Sequence, residues 1–356
     1  MYQPSTTGQL VPYIKRLLVA EGSGGAATAV IWPFVDQATA EPLLELLIDS
    51  NVLLRPKTLS ELKPLLRRPY NLNINMALVE QWLSNEAFRS DPAAKISEYV
   101  SGFVREGFYF PKDFALDRAQ WLQRNSEALR YNGALQFAYI ALTKKLLDSR
   151  EGNDHTLRQL TRIRDADIPR FSCCLLLAAV SLFLKNNQHL KLVGDKTNAY
   201  SYVRAFFDYQ IKKKKEAPYI TARYLQNRAG DLSLWLSASL FNALGAEWLG
   251  EPVVVTQDKI LHRFVFRLMP LVSRPEVVSC SYLSSELPEG GRTEMDELVA
   301  ALGKPHRGPP TREEKCQRLR NLFALANEYC DAQERVELDR IWEEWIVPGF
   351  SAPAIN

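Results

Sequence analysis

Four acidic residues are spaced along the chain in a way that suits metal-assisted hydrolysis. Asp49 directly follows the apolar run of residues 43 to 48, and Glu80 comes just after the alternating segment 71 to 78. Asp231 follows Gly230 at the head of an apolar stripe with helical spacing, and Asp258 closes the run Val253-Val254-Val255-Thr256-Gln257. Asn51 and Thr256 add polar side chains beside the first and last of these acids. Acids at the C-terminal ends of neighbouring strands in one sheet converge on a single crevice. Two unit charges about 4 Å apart at an effective dielectric near 20 repel by roughly 4 kcal/mol, so such a cluster needs a shared proton or a cation. Oxygen ligands with no histidine or cysteine beside them suit Mg²⁺ or Mn²⁺ and leave coordination positions for water and a substrate phosphate. The chemistry expected is phosphodiester hydrolysis, with one or two metal ions.

The elements needed to position these acids are legible in the hydrophobic pattern. Residues 43 to 48 read as a buried strand, and Leu59, Leu62, Leu65 and Leu66 recur at helical spacing after it. Leu72, Ile74 and Met76 alternate with asparagines as in a strand, and Val79, Trp82 and Leu83 then switch to a helix. Residues 85 to 225 read as almost wholly helical, without a repeat of fixed length. Asp231 is expected to open a helix carrying Leu232, Trp235, Leu236 and Leu240, which leads to a compact strand at 253 to 256. The C-terminal part predicts helices, with capping-box patterns at Thr293 with Asp296 and at Thr311 with Glu314. One long final helix is expected from Leu319 to Trp345, packing on the body or on a protein partner. Strand-then-helix units of this kind predict an α/β fold, a three-layer α/β/α core with a parallel sheet, a large helical insertion and a helical C-terminal extension. The expected division is 1–84 and 226–272 as two halves of the core, 85–225 as the insertion and 273–356 as the extension.

Composition narrows the class and locates the charge. The chain has 356 residues, 46% of them hydrophobic and 24% charged, as in an ordinary folded protein with a sizeable core. The longest apolar run, Cys173 to Phe183, is too short for the roughly 20 residues of a membrane span, so no membrane role is expected. Five cysteines without C-x-x-C spacing and no visible export signal point to the cytoplasm. The formal net charge is only +3, yet residues 81 to 230 carry 24 basic and 15 acidic side chains. Local positive fields rather than total charge attract nucleic acid. Within that middle, the run Lys212, Lys213, Lys214 and Lys215 lies among Tyr209, Tyr219 and Tyr224, and Arg158 and Arg162 share a helical face. Both are candidate contacts for a single strand, although solvated surface suits both slightly better.

The segments LLIDSNVLL (46–54), NMALVEQWL (75–83), GDLSLWLSASL (230–240) and VVVTQDKIL (253–261) together resemble the four motifs of the PIN domain nucleases. The resemblance implies a Mg²⁺- or Mn²⁺-dependent endoribonuclease acting on single-stranded RNA. It also implies Asp49, Glu80, Asp231 and Asp258 as the metal-site acids, with Asn51 and Thr256 supporting them. It covers about a fifth of the chain, and the 151 positions between Glu80 and Asp231 exceed the family's spacing. The strand that the family places ahead of the third acid has no candidate here.

Other readings stay open at this level. Asp49 and Asp231 each suit a helix N-cap, and Glu80 a surface position on a helix. A degenerate core serving as a non-catalytic RNA-binding or scaffolding protein fits the same residues, and DNA is an alternative substrate. His262 follows Asp258 closely enough to reach the crevice, although a structural role suits it better. No phosphate loop with its lysine, serine-hydrolase elbow or thiol-protease signature is present in the sequence.

Overall fold

A computed structural model describes residues 15–21, 27–36, 43–149, 153–169, 172–243, 247–273, 280–302 and 311–348. The strands are β1 (Leu17–Glu21), β2 (Ala27–Ile31), β3 (Leu44–Ile48), β4 (Tyr70–Asn73) and β5 (Glu251–Thr256). The helices up to the middle of the chain are α1 (Ser50–Leu53), α2 (Lys57–Leu62), α3 (Asn75–Ser84), α4 (Glu86–Ser90), α5 (Pro92–Arg105) and α6 (Phe114–Arg124). There follow α7 (Ser126–Asp148), α8 (Asn153–Asp165), α9 (Ser172–Asn186), α10 (Ala199–Phe207), α11 (Ile211–Lys214) and α12 (Ala222–Ala243). After β5 come a π-helical turn at Leu261–Val265, α13 (Phe266–Leu268), α14 (Glu289–Ala301), α15 (Arg312–Tyr329) and α16 (Ala332–Ile341).

The chain divides into two compact units. One comprises Thr7–Ser126 with Gly230–Ser281 and holds the sheet; the other comprises Glu127–Ala229 with Tyr282–Asn356 and is helical. This division differs from the expected one in two ways. Helices α4 to α6, read as the start of an insertion, belong with the sheet, and the C-terminal helices share a unit with α8 to α11.

The fold is α/β, but its five-stranded sheet is mixed, which corrects the expected parallel sheet. The order is β1-β2-β5-β3-β4, with β3 parallel to both β4 and β5, and β2 antiparallel to β5 and to β1. Three of the candidate acids, Glu80, Asp49 and Asp258, come after the strands of the parallel trio β4, β3 and β5. The hairpin edge follows from chain length, because the five residues between β1 and β2 are too few for the crossover that a parallel pair requires. Every residue of β3 and of β5 is buried. Successive side chains of a strand point to opposite faces, so both faces of the sheet are covered at its centre. Pro252 is tolerated in β5 because the pairing with β2 runs only from Val254 to Thr256, past the proline. Gly250 is required just before β5, where a Cβ would lie 2.7 Å from the Leu43 carbonyl oxygen. Buried Glu45 fixes the neighbouring strands, accepting from Asn73 Nδ2 at 2.6 Å and from the Leu249 amide at 2.6 Å.

Several element boundaries differ from the pattern reading, each for a local reason. The alternation at 71 to 78 is a strand only as far as Asn73, whose Oδ1 accepts from the Asn75 amide at 3.0 Å and turns the chain into α3. Helix α12 begins well before Asp231, because the Thr221 hydroxyl caps it by accepting from the Tyr224 amide at 3.1 Å. Asp231 therefore lies mid-helix and opens nothing. Thr293 is likewise inside α14, whereas Thr311 and Glu314 form the expected capping box. The expected single final helix is two, because Asp331 and Glu334 form a second capping box that starts α16. The apolar face of these helices is used within their own unit, with Phe137 edge-on to Trp345 at 5.1 Å and Lys145 paired to buried Glu334 at 2.8 Å.

The burial of the central strands sets an expected stability cost. Leu46→Ala, at a fully buried position of β3, is expected to destabilise the sheet unit by about 2–5 kcal/mol. Leu116→Ala, at a half-exposed position, should cost about 0.5 kcal/mol or less. Urea denaturation of both variants checks the contrast, and equal midpoints would contradict the two-sided burial.

Candidate active site

The site is built where the parallel strands end. Asp49 leaves β3 in an extended conformation and caps α1, accepting from the Val52 amide at 2.8 Å. Its other oxygen accepts from the Thr256 hydroxyl and from the Gln257 amide at 3.2 Å. The Asp49 amide in turn donates to the Val255 carbonyl at 3.1 Å, continuing the pairing of β3 with β5 past the strand end. Thr256 also serves a second acid, since its hydroxyl accepts from the Asp258 amide at 2.9 Å. Asp258 is thereby aimed at the helix that follows, and its Oδ1 accepts from the amides of Ile260 at 2.6 Å and Leu261 at 3.4 Å. Thr256 is fully buried and Asp49 is 2% exposed, while Asp258 and Gln257 are half-buried. Exposed Asn51 gives Asp49 one further side-chain hydrogen bond.

Glu80 and Asp231 come from two helices that meet at Gly230. On α3, Glu80 accepts from the Ser50 amide at 3.2 Å and from the Ser50 hydroxyl. On α12, Gly230 lies against α3 so closely that a Cβ there would sit 3.3 Å from Ser84 Cβ and 3.6 Å from Glu80 Cγ. Asp231 follows this contact. Its charge acts on Glu80, as does that of Asp49. Burial first, then the Asp49 carboxylate and further that of Asp231, push the Glu80 carboxyl up to about 8, against the Ser50 hydrogen bonds, which lower it. Burial also raises Asp49, opposed by its bonds to Thr256, Val52, Gln257 and Asn51. Asp49, Glu80 and Asp231 are thus electrostatically coupled, and Asp258 is tied to them through Thr256.

The donors in this cluster are all oxygens, the type a hard divalent cation takes. As they stand, no three histidine, cysteine, aspartate or glutamate side chains among the described residues are grouped closely enough to hold a metal ion. The oxygens of Asp49 and Glu80 are instead engaged by hydroxyls and amides. Nearby His262 is 3% exposed, and burial, followed by Arg263 and Lys259, lowers it to about 4, so it is a neutral core residue at physiological pH. Two residues of the site were not singled out from the sequence, Ser50 and Gln257. Each directly adjoins a residue that was, Ser50 after Asp49 and Gln257 before Asp258, and that adjacency was the available signal.

The basic candidates belong to the helical unit. Helix α11 and Lys215, which has a left-handed φ of 52°, form a short turn fastened at its flanks. Glu216 accepts from the Gln210 amide at 2.8 Å and from Asn227 at 3.0 Å, and it pairs with Arg228 at 2.9 Å, both charges fully buried. Lys212 and Lys215 are exposed and Lys214 is half-buried, while the side chain of Lys213 lies outside the described residues. Arg158 is exposed, and Arg162 pairs with Glu328 at 2.5 Å. No helix among the described residues is long and apolar enough to cross a membrane. No protein-family model, curated protein or solved structure matches the chain.

The coupling at Glu80 has a pH signature. A carboxyl that ionises near its ordinary 4.5 in the unfolded chain and near 8 in the folded one binds more protons when folded. Stability from this group is fully present below about 4.5, falls as the pH rises through the interval, and is lost above about 8. Glu80→Gln removes that dependence. Urea denaturation in EDTA at pH 5, 6.5 and 8 should therefore move in favour of the variant with rising pH. The expected change is at least about 1.4 kcal/mol, the worth of one pKa unit. Parallel profiles would show that Glu80 is not held protonated by its neighbours.

Proposed function

We propose that the sheet unit is a PIN-like core and that the protein is a Mg²⁺- or Mn²⁺-dependent endoribonuclease acting on single-stranded RNA. The observation that carries this reading is that Glu80 bonds Ser50, the neighbour of Asp49, and packs against Gly230, the neighbour of Asp231, while both acids oppose its ionisation. A structural role alone gives no reason to bury an ionisable carboxyl where two neighbouring acids oppose its ionisation. Asp49, Glu80 and Asp231 would hold the cation, drawn closer together than in the arrangement described above, where they are not grouped closely enough to do so. Once bound, the ion would acidify a water and offset charge on the phosphate being cleaved.

The remaining residues act on the acids themselves. Thr256 and Gln257 fix the Asp49 carboxylate, and Ser50 fixes Glu80. Thr256 also orients Asp258 towards the same end of the sheet. Glu80 must release its proton to become a ligand, so metal affinity should rise with pH up to about 8. None of the five cysteines is in a disulfide, which suits a reducing cytoplasm.

A second reading also has an observation in its favour. The engagement of the Asp49 and Glu80 oxygens by Val52, Thr256, Gln257 and Ser50 suits a degenerate core that serves as a non-catalytic RNA-binding scaffold. The missing strand ahead of Asp231 points the same way, since no strand lies between β4 and β5 among the described residues.

Metal response and cleavage separate the two. For the nuclease, millimolar Mn²⁺ should raise the melting temperature of the wild type and leave Asp49→Asn and Glu80→Gln unmoved. The same variants should lose at least about 100-fold in cleavage of single-stranded RNA, as loss of transition-state charge stabilisation commonly does. Undiminished cleavage by the variants would discard the site. Absence of both Mn²⁺ response and cleavage in the wild type would favour the scaffold. Competition between single-stranded RNA and DNA of equal length reports which strand is preferred.

A further inference from the structure

A cavity of about 550 Å³ lies in the sheet unit beside the acids and has no part in the chemistry described above. Gln257 connects the two. Its amide donates to Asp49 at 3.2 Å, and its Nε2 lies 3.4 Å from the hydroxyl of Thr58, which lines the cavity. The volume is within the range of small-ligand sites, roughly 300–1,000 Å³. Arg55, Lys57 and Arg105 line it, all three exposed, and among the described residues none of them is committed to an ion pair. Leu54, 60% exposed, and Pro56 give it an apolar side. Gly102 on α5 approaches Pro56 so closely that a Cβ would lie 3.1 Å from the proline ring, which holds the α5 wall against the start of α2. Glu61 and Glu106 also line the cavity, so the wall carries three cations to two anions; Glu106 accepts from the Ser60 hydroxyl at 3.0 Å.

Uncommitted cations facing a concave surface, with an apolar wall and an amide side chain, match the chemistry of a nucleotide in a single strand. Such strands are held by phosphate contacts together with packing of the base. We propose that this cavity seats a nucleotide of the substrate strand next to the bond to be cut. Arg55, Lys57 and Arg105 take its phosphates, and Leu54 and Pro56 take its sugar and base. The proposal rests on the nuclease reading for the identity of the strand, whereas the anion site depends only on the cavity itself. These three cations, and not the lysine run singled out from the sequence, are then the primary holders of the strand beside the acids.

The test is binding of a fluorescein-labelled 12-nucleotide single-stranded RNA to the full chain, followed by anisotropy in EDTA so that no cleavage intervenes. The triple variant Arg55→Ala/Lys57→Ala/Arg105→Ala should raise Kd at least about 10-fold. It should also flatten the dependence of log Kd on log salt by about 2, at roughly 0.7 for each phosphate of a single strand that is no longer neutralised. Lys112→Ala, outside the cavity, should leave both within about twofold, and circular-dichroism melting confirms that the triple variant is folded. A folded triple variant with the wild-type Kd and salt slope overturns the proposal, as does a wild type that does not bind the RNA. Displacement of the RNA by a nucleoside monophosphate as effectively as by the unlabelled strand overturns the strand assignment in favour of a free nucleotide. Binding that depends on the three cations without Mn²⁺-dependent cleavage would support the cavity and reject the nuclease. Cleavage by the triple variant with unchanged KM would do the reverse.

Discussion

Asp49 is a carboxylate almost wholly removed from water at the junction of two parallel strands, and the arrangement around it follows from keeping it there. A buried charge is tolerated only when hydrogen bonds replace the water it has lost. Here the replacements are the Val52 amide at the start of α1, the Thr256 hydroxyl and the Gln257 amide at the end of β5. These donors come from two separate stretches of chain, so satisfying Asp49 fixes where α1 departs from β3 and how β5 ends. The backbone of Asp49 adds to this by donating to Val255. Removing any one donor leaves a buried acceptor short of a partner, which typically costs about 1–3 kcal/mol. The strand ends are therefore held together by the acid as well as by the sheet ladder.

Glu80 is shifted in the same direction with fewer bonds to offset it. Among the described residues its hydrogen bonds come from Ser50, and burial together with two neighbouring carboxylates outweighs them. The same crevice thus contains one acid bonded on several sides and another left protonated by its surroundings. Divergent environments of this kind are how a site assigns different roles to chemically similar groups. The close approach of Gly230 to Glu80 and Ser84 brings Asp231 near, and a Cβ there would require Ser84 to give way by a few tenths of an ångström. Packing of a glycine and titration of a glutamate are thus parts of one constraint.

Much of this was legible in the sequence, and the limits have physical causes. The strand at β3 and the run of valines in β5 are buried on both faces, so they read as unbroken apolar segments, and the acids after them stood out. The position of Asp231 in the chain was visible, but its place within a helix was not. The pattern offered Gly230-Asp231 as a helix start, while the actual cap, Thr221, precedes a segment whose apolar side is less distinct. The antiparallel edge was missed because Leu18 and Val19 in β1 are exposed, which blurs the alternation that marks a half-buried strand. The break before α16 shows the reverse difficulty. Helical periodicity continues through Cys330 and Asp331, and only the reciprocal bonds of Asp331 and Glu334 divide it. Ser50 and Gln257 escaped notice because a short polar side chain or an amide beside an acid carries no pattern of its own until the fold supplies its partner.

Charge asymmetry along the chain and charge placement in the fold point to different residues. The basic excess between residues 81 and 230 drew attention to Lys212–Lys215, Arg158 and Arg162, all of them in the helical unit. Arg162 is taken up by Glu328, and the lysine turn is organised around a buried ion pair whose effect is structural. In the sheet unit, two of the three cations that line the cavity come from residues 1 to 80, which carry 7 basic and 7 acidic side chains. Arg55 and Lys57 stand only a few residues beyond Asp49, in the turn that α1 and Pro56 create. The residue that fixes the acid cluster therefore also determines where the nearest uncommitted cations emerge. A field acts over roughly 10 Å at moderate salt, so neighbours within one fold matter more than sums over a segment. On the proposed reading, the carboxylate cluster and the cationic cavity one side chain away would divide a phosphodiester between them, the first acting at the bond and the second on the flanking phosphate.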